Sequence, residues 1–276
     1  MKISKIIGAL LLHTTLIAGA TIALVPFIWM VATSFKLPSD ILSTAPTWLP
    51  REPTFRNYEL LFSYIPFLRQ FINTLFVTIV IVLGQLLFSS MGAYAFARLR
   101  FPGRDGLFLV FLATLMVPNV VTLIPAFIVV RNLGWVNTYM ALIGPAVLGS
   151  AFATFLLRQF MLTIPAELEE AAKIDGAGHF TIYWRIILPL VRPALAVVGI
   201  FAFVAFWNDF LWPLVVINSE SLKVLTVGIA GLASGPYGTD WGVLMAGSTL
   251  TVMPLIVVFL ALQRHVIEGV AISGLK

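Results

Sequence analysis

Charge is scarce in this sequence of 276 residues, of which 11% are charged and 60% are hydrophobic. A typical soluble domain has about 25% charged and about 45–50% apolar residues. So few charged groups could not cover the surface of a water-soluble globule of this length. The composition therefore argues against a soluble enzyme and predicts an integral membrane protein, and its hydrophobicity also argues against disorder.

Cysteine is absent, which excludes disulfides, thiolate metal sites and a cysteine nucleophile. The sequence also lacks a phosphate-binding G-x-x-x-x-G-K-[ST] loop, an H-E-x-x-H motif and a G-x-S-x-G motif. Its three histidines, His13, His179 and His265, are far apart along the chain. We therefore expect no catalytic residues, no bound cofactor and no metal site in this chain. The net charge of +5 is weak for a nucleic-acid binder.

Long apolar runs are what the sequence does have. A bilayer core about 30 Å thick needs about 20 apolar residues per helix, and six runs meet this length: about 6–33, 71–97, 107–130, 138–157, 194–217 and 241–262. They predict an all-α, polytopic membrane protein with six transmembrane helices in a single domain, 1–276. The first run starts like a signal peptide, but it continues too far, so we expect a retained helix. Pro118 and Pro125 should kink the third run.

The distribution of Lys and Arg predicts the orientation in the membrane. With the N-terminus inside, eleven of these residues fall in inner segments and six in outer ones. Cytoplasmic loops carry the excess of Lys and Arg. We therefore expect a protein of the cytoplasmic (inner) membrane with both termini in the cytoplasm.

The inner segment of about 163–190 has the pattern of a helix-turn-helix. Thr163 is suited to cap the first helix, Pro165 fits its first turn, and three glutamates follow near its positive end. Gly176 is a natural stop. A second short helix, about Phe180 to Ile187, should end near Pro189.

The first of these two helices has a face suited to a partner protein. Helical spacing places Leu168, Ala171, Ala172 and Asp175 on one side, and the two alanines would allow a partner's backbone to approach closely. The alternative is an amphipathic helix lying on lipid. An anionic leaflet would repel the acidic first turn, so a protein dock is favoured.

The residues of this segment resemble a known motif. Glu170-Ala171-Ala172, Gly176 and Ile186-Ile187-Leu188-Pro189 match the pattern E-A-A-x3-G-x9-I-x-L-P at every fixed position. This pattern resembles the EAA loop of ABC importer membrane subunits. The stretches 153–160, 175–177 and 207–213 look like the maltose-type carbohydrate-uptake branch of that family, which also contains glycerol-phosphate permeases.

The resemblance implies a complex. Two homologous permease subunits would form the pore in the lipid bilayer, an ATPase dimer would dock beneath them with its ATP and Mg, and an extracytoplasmic binding protein would deliver the substrate. Glu170 to Gly176 would form the coupling helix: Glu170 as the charged contact, Ala171 and Ala172 as the close-packing surface, and Gly176 as the turn. Asp175 and Pro189 belong to the same coupling set. The tail after the sixth run would either reach the ATPase or be disordered.

One polar cluster lies within the apolar runs. Asp209 is the only acid in a predicted span, and Trp207, Asn208 and Trp212 surround it in the sequence. A buried charge in a membrane usually faces a cavity or a partner, so this cluster is a hypothetical substrate path. Asn73 and Asn119 are further candidates. The alternative is that these side chains only hold helices together.

The sequence leaves the substrate open. A sugar or oligosaccharide is favoured over glycerol-3-phosphate or a glycerophosphodiester, because no predicted span contains Arg or Lys to bind a phosphate. A stand-alone secondary carrier is a weaker alternative, since a carrier has no reason to keep an ATPase dock. A membrane enzyme is disfavoured by the missing catalytic motifs.

Overall fold

The computed structural model describes residues 2–45, 47–233 and 239–273, with side chains described from residue 7 to residue 263. These residues form helices and connecting turns, with no strand among them. The helices are α1 Lys2–Ser34, α2 Pro38–Ile41, α3 Arg56–Tyr64, α4 Phe67–Arg98, α5 Arg104–Ala113, α6 Asn119–Asn132, α7 Tyr139–Val147, α8 Ala151–Leu162, α9 Glu167–Ile174, α10 His179–Ile182, α11 Leu188–Leu190, α12 Arg192–Trp207, α13 Leu211–Val216, α14 Leu225–Leu232 and α15 Trp241–Ser273. The predicted all-α class is thus confirmed.

Four stretches in the described part of the chain are long and apolar enough to cross a membrane: Ile7–Ser34, Phe67–Arg98, Tyr139–Leu162 and Trp241–Gln263. Two bent helix pairs raise the total to six if each pair counts as one span. The first pair, Arg104–Met116 with Asn119–Asn132, bends by 102°, and the second, His179–Leu190 with Arg192–Trp207, bends by 78°.

The third predicted run is broken rather than continuous. After α5 the chain makes a 3-10 turn, Thr114–Met116, and α6 starts anew at Asn119. Pro118 stands between them in an extended conformation, with φ −62° and ψ 135°. Proline cannot donate a helical hydrogen bond and disfavours helical geometry at the residue before it, here Val117. The expected kink therefore takes the form of a full break at Pro118, whereas Pro125 is accommodated inside α6.

The fifth predicted run also divides. Helix α12 ends at Trp207, and α13 begins at Leu211. Asn208, Asp209 and Phe210 form the connection between them. The polar cluster that the sequence places inside a span therefore lies at a break between two helices.

The chain forms two compact units. The first consists of residues 1–68 and 228–253, and its buried polar residues include Lys36 and Asn57. The Asn57 amide donates to the carbonyls of Ser34 and Lys36, at 2.9 and 2.8 Å. These contacts fold the connection between α1 and α3 onto the end of α1.

The second unit consists of residues 69–227 and 254–276 and contains the EAA segment. Its buried apolar residues form two clusters. One joins α4 and α8 to the segment after α8 and to α12. The other joins α4 to α6, α7 and the residues around α13. Helix α4 contributes to both clusters and is the shared element of this unit.

Candidate functional site: the inner coupling segment

Residues 163–190, the predicted coupling segment, form two helical arms joined by a turn, and their start differs from the prediction. The first helix, α9, begins at Glu167 after Ala166, and no side chain caps it. Thr163 instead ends α8, where its hydroxyl donates to the carbonyl of Phe160 at 2.8 Å. The prediction that Thr163 caps the coupling helix is therefore wrong, because the preceding helix extends five residues further than the predicted span and takes up Thr163 at its own end.

Helix α9 ends at Ile174, and Gly176, the predicted stop, lies two residues further on in the turn. Gly176 has a φ of +82°, a left-handed conformation that residues with a Cβ adopt at a cost. The N–H of Gly176 donates to the carbonyl of Lys173, and the N–H of Ala177 donates to that of Ala172, at 3.0 and 2.9 Å. This pair of hydrogen bonds is a Schellman motif, which satisfies the last carbonyls of the helix. The glycine is thus required by the backbone of the turn.

The second arm is continuously helical from His179 to Leu190, but its middle is a π-helix, Tyr183–Ile187. The N–H of Leu188 donates to the Tyr183 carbonyl, five residues back. Pro189 follows at once; it has no N–H to donate to the carbonyl of Arg185, which a regular α-helix would require. Single π turns inside helices are rare and often occur at functional sites. The predicted end near Pro189 is confirmed to within two residues.

The predicted coupling residues differ in their exposure to solvent. Glu170, Ala171, Asp175 and Gly176 are exposed, whereas Ala172 is buried in the core and Pro189 is half-buried. The predicted docking face therefore needs one correction. Ala172 packs into its own chain, because it lies on the same side of α9 as the buried Glu169.

Large apolar side chains on the same segment are exposed. Ile174 is 86% exposed, Phe180 69% and Trp184 52%. The rings of Phe180 and Trp184 stack with an interplanar angle of 12°. Exposed apolar patches rimmed by polar residues mark protein–protein or membrane interaction sites. The segment thus presents acidic and apolar groups side by side.

The second set of predicted site residues, at the break between α12 and α13, does not form one exposed surface. Trp207 is fully buried and stacks on Phe203, with ring centroids 5.5 Å apart. The indole N–H of Trp212 donates to the carbonyl of Ala141 at 2.8 Å. Both tryptophans therefore pack against their own chain.

Asn208 and Asp209 differ from these tryptophans. Asn208 is exposed, and its amide donates to the Val204 carbonyl of its own helix. Asp209 is half-buried and, with Trp212, lines a cavity of about 10 Å³, which is room for about one water molecule. The hydroxyl of Thr226 donates to the backbone carbonyl of Asp209 at 2.6 Å.

The two asparagines proposed from the other spans differ in burial. Asn73 is buried near the N-terminal end of α4, where its amide donates to the carbonyls of Ser221 and Lys223, and the Tyr139 hydroxyl donates to its side-chain oxygen. Asn119 is exposed at the first turn of α6.

The residue that sequence reasoning missed is Glu169. The sequence predicts Glu167, Glu169 and Glu170 as acids at the positive end of the helix, but Glu169 is 5% exposed and lies 3.1 Å from Arg98, measured from Nε to Oε1. Helical spacing places Glu169 on the side of Ala172, but Ala172 was itself predicted to face a partner, so the sequence carried no signal of this burial.

Comparison with known proteins agrees with this geometry. Residues 85–272 match the family described as binding-protein-dependent transport system inner membrane component. The arabinooligosaccharides transport system permease protein AraQ of Halalkalibacterium halodurans is 38% identical over 260 residues, which cover 93% of this chain and 92% of that protein. The sn-glycerol-3-phosphate transport system permease protein UgpE of Salmonella typhi is 35% identical over 269 residues, 95% of each.

A solved structure has the same fold. It is a chain of a bacterial ABC transporter involved in the import of the acidic polysaccharide alginate, with a TM-score of 0.83 and 26% identity over 95% of this chain and 98% of that one. The chain therefore belongs to the family of binding-protein-dependent transport system inner membrane components, as its EAA pattern predicted.

Proposed function

We propose that this chain is the transmembrane subunit of an ATP-driven ABC importer, which forms with a homologous permease subunit the path for a sugar or oligosaccharide delivered by an extracytoplasmic binding protein. Family membership supports the transport role. The observation that carries the proposal is the coupling segment, whose E-A-A-x3-G helix presents Glu170, Ala171 and Asp175 on the surface and ends in a turn that needs Gly176. The family name describes a component of a larger system, which disfavours the stand-alone carrier.

The coupling segment is the proposed dock for the ATPase dimer. Its exposed acids offer charge contacts, and Leu168, Ile174, Phe180 and Trp184 offer apolar area. Small Ala171 allows close approach of a partner. The ATPase dimer would hold ATP and Mg, so this chain itself would hydrolyse nothing and bind no cofactor.

The proposed topology has six spans with both termini in the cytoplasm. It counts each bent helix pair as one span and places the coupling segment inside. The excess of Lys and Arg in inner segments supports this orientation. The tail is helical to Ser273, but its side chains from Arg264 onward and residues 274–276 lie outside the described part of the chain, so contact of the tail with the ATPase stays a prediction.

A carbohydrate is the proposed substrate class. One relative is named for arabinooligosaccharides and the solved neighbour imports alginate, a polysaccharide. Glycerol-3-phosphate, for which the relative UgpE is named, is the second candidate. The lack of Lys and Arg in the predicted spans favours a neutral sugar, because a phosphate buried at membrane depth needs a cation.

Among the predicted path residues, Asn208 and Asp209 are the ones we retain for contact with substrate. They lie at the break of the fifth span, where backbone outside a helix is tolerated in membranes only if it is buried in protein or lines a water-filled cavity. Trp207, Trp212 and Asn73 have packing or hydrogen-bond partners in the chain, so we assign them to structure. Exposed Asn119 stays a candidate.

The test of the docking proposal is Glu170→Ala in the assembled complex, with ATPase activity measured with and without the loaded binding protein. We expect stimulation to be lost, because Glu170 is an exposed charge on the dock. Glu220→Ala is the matched control, since Glu220 is an exposed glutamate on the segment predicted to face outward. Equal stimulation in both variants would contradict the assignment of the dock.

The test of the path proposal is Asp209→Asn, which keeps shape and removes charge. Uptake should change while assembly with the partner subunits stays intact. Loss of assembly would instead identify Asp209 as a structural residue.

The substrate class has its own test. The ligand that co-purifies with the cognate binding protein distinguishes a sugar from glycerol-3-phosphate.

A further inference from the structure

We propose that the coupling segment transmits its displacement to helix α4. Arg98 and Glu169 are the positioning pair that fixes α9 to this helix. This inference rests on the proposed function of the segment. Along the chain the segment connects α8 and α12, so these two helices are the obvious route for any displacement. The side-chain contacts indicate an additional route, because both arms of the segment are tied to α4.

The first arm is tied through Arg98, the last residue of α4. Its Nε lies 3.1 Å from Oε1 of Glu169, and both side chains are about one-tenth exposed. The two atoms are not aligned as a hydrogen bond, so the contact is an ion pair. In surroundings of low dielectric such a pair is screened by water far less than a surface pair. The attraction therefore holds α9 against the end of α4.

The same guanidinium also holds the end of α8. One of its terminal nitrogens donates to the carbonyl of Ile164 at 2.5 Å and also to that of Met161. These carbonyls lie where α8 ends, and cations are favourable at the negative end of a helix. Arg98 thus joins α4, α8 and α9 at a single point.

A second arginine makes the reverse connection. Arg158 of α8 donates through Nε to the carbonyl of Phe96 in α4 at 3.2 Å, and its guanidinium lies 4.3 Å from the ring centre of Phe108. Each of the two helices therefore extends an arginine to the backbone of the other. Planar, multiply bonded arginines lose little freedom per hydrogen bond formed, so α4 and α8 should move together at this end.

The second arm is tied to α4 one and two helical turns before Arg98, at Tyr94 and Ser90. The Tyr183 hydroxyl and the Ser90 hydroxyl are 2.7 Å apart and buried. The ring of Tyr183 also contacts the ring of Tyr94, with centroids 5.5 Å apart. Tyr183 opens the π-helix of this arm. Both arms are therefore held along one face of α4, on residues 90, 94 and 98.

The orientation of Glu169 separates it from docking. Glu170, its neighbour, is exposed, whereas Glu169 points into the chain and reaches Arg98. The two glutamates thus have different tasks: Glu170 meets the ATPase, and Glu169 transmits the resulting displacement to α4. Loss of Glu169 should leave docking intact and weaken transmission.

The decisive experiment measures a distance in the complete importer. The chain has no cysteine, so Arg100→Cys and Lys173→Cys introduce two exposed attachment sites, one beside the end of α4 and one on α9. Spin labels on them should give the same distance distribution in the nucleotide-free and ATP-bound complex. In the Glu169→Gln background the distribution should broaden or shift with ATP. A shift with ATP while Arg98 and Glu169 are both present would overturn the proposal.

A functional measurement accompanies it. Glu169→Gln should retain basal ATPase activity and co-purification of the ATPase, while stimulation by the loaded binding protein falls by at least about fivefold, the lower end of usual coupling between sites. Arg98→Lys keeps the positive charge but loses the planar guanidinium with its several donors, so it should retain part of the stimulation. Arg100→Lys is the matched control, because Arg100 is exposed.

The outcomes separate this inference from the proposed function. If Glu170→Ala removes stimulation but Glu169→Gln does not, the assignment of the dock is correct and the proposed transmission to α4 through Arg98 and Glu169 is wrong. If neither variant changes stimulation, the proposed coupling function itself fails. If Glu169→Gln releases the ATPase altogether, the residue serves docking and the positioning role is overturned.

Discussion

The two ends of α4 hold distant parts of the chain by different chemistry. At its C-terminal end, Arg98 meets Glu169 and two helix-end carbonyls, so this end makes an ion pair. At its N-terminal end, the Asn73 amide donates to the carbonyls of Ser221 and Lys223, at 3.0 and 2.9 Å, and Arg69 donates to the Ser221 carbonyl at 2.9 Å. Both ends thus connect residues far apart in the sequence, but in the described part of the chain only the C-terminal end pairs two formal charges.

The difference indicates which end transmits force. A neutral amide that donates to backbone carbonyls fixes a loop locally, and its loss costs the bonds it made. A buried ion pair costs more when one partner is removed, because the other charge stays buried and uncompensated. The C-terminal end of α4 should therefore behave as one mechanical unit with the coupling segment. The N-terminal end should hold only the loop after α13.

The largest effect is expected for Arg98→Met. The substitution leaves the Glu169 carboxylate buried without its partner, which costs about 3–5 kcal/mol. The melting temperature of the purified complex should fall accordingly, and Arg98→Met with Glu169→Leu should fall less than the single variant. Arg100→Met is the exposed control. A double variant that is worse than Arg98→Met alone would show that the pair is not a unit.

A smaller loss is expected at the N-terminal end for Asn73→Ala. It removes two donated hydrogen bonds and leaves the Tyr139 hydroxyl, 2.7 Å away, without its acceptor. The Ser221 carbonyl keeps the Arg69 donor and the Lys223 carbonyl can relax toward water, so the cost should be that of one unsatisfied buried group, about 1–3 kcal/mol. Thermal unfolding compared with Asn119→Ala, an exposed asparagine, measures it. A loss equal to that of Arg98→Met would remove the distinction between the two ends.

The middle of α4 offers a third, smaller test. A Cβ on Gly84 would lie 2.6 Å from the carbonyl oxygen of Val147, too close for any real contact, whereas a Cβ on Gly92 would meet Thr154 at an ordinary 3.6 Å. Gly84→Ala should therefore destabilise the chain by about 2 kcal/mol through forced separation of α4 and α7. Gly92→Ala should be neutral or slightly stabilising, because alanine favours helix. Equal melting temperatures of the two variants would contradict this close approach.

The sequence predicted the elements of this structure better than their contacts. Apolar runs predict helices because each run must satisfy its backbone hydrogen bonds internally in the membrane. Helices α1 and α4 follow the runs closely, whereas α15 starts at Trp241 as predicted but continues to Ser273, beyond the predicted end at 262. The stop at Gly176 was predictable because only its backbone conformation matters. The break of the third run at Pro118 was foreseen only as a kink, since a proline alone does not decide between bending and stopping a helix.

The pairs across α4 were not predictable. Arg98 and Glu169 are 71 positions apart in the sequence, and a sequence without an alignment gives no sign of contact at that separation. Their charges instead led to separate interpretations, Arg98 as a marker of the inner side and Glu169 as a helix-end acid. Helical spacing places Glu169 and Ala172 on one side of α9, but it does not show which side of the helix faces the chain. Nothing in the sequence indicates that the Arg98 guanidinium lies beside this side of α9.

The smallest effect is expected for Asn208→Ala. The amide of Asn208 donates to the carbonyl of Val204 at 2.8 Å, but the backbone N–H of Asn208 already donates to that same carbonyl. No buried group is left unsatisfied by the change, and surface substitutions away from special features stay within about 0.5 kcal/mol. Asn208→Ala should therefore leave the melting temperature unchanged where Asn73→Ala lowers it, although both asparagines were proposed from sequence as path residues. Uptake measured in the same variants completes the comparison. Reduced uptake with unchanged stability would place Asn208 on the substrate path. Destabilisation comparable to that of Asn73→Ala would instead mean that the break between α12 and α13 serves stability.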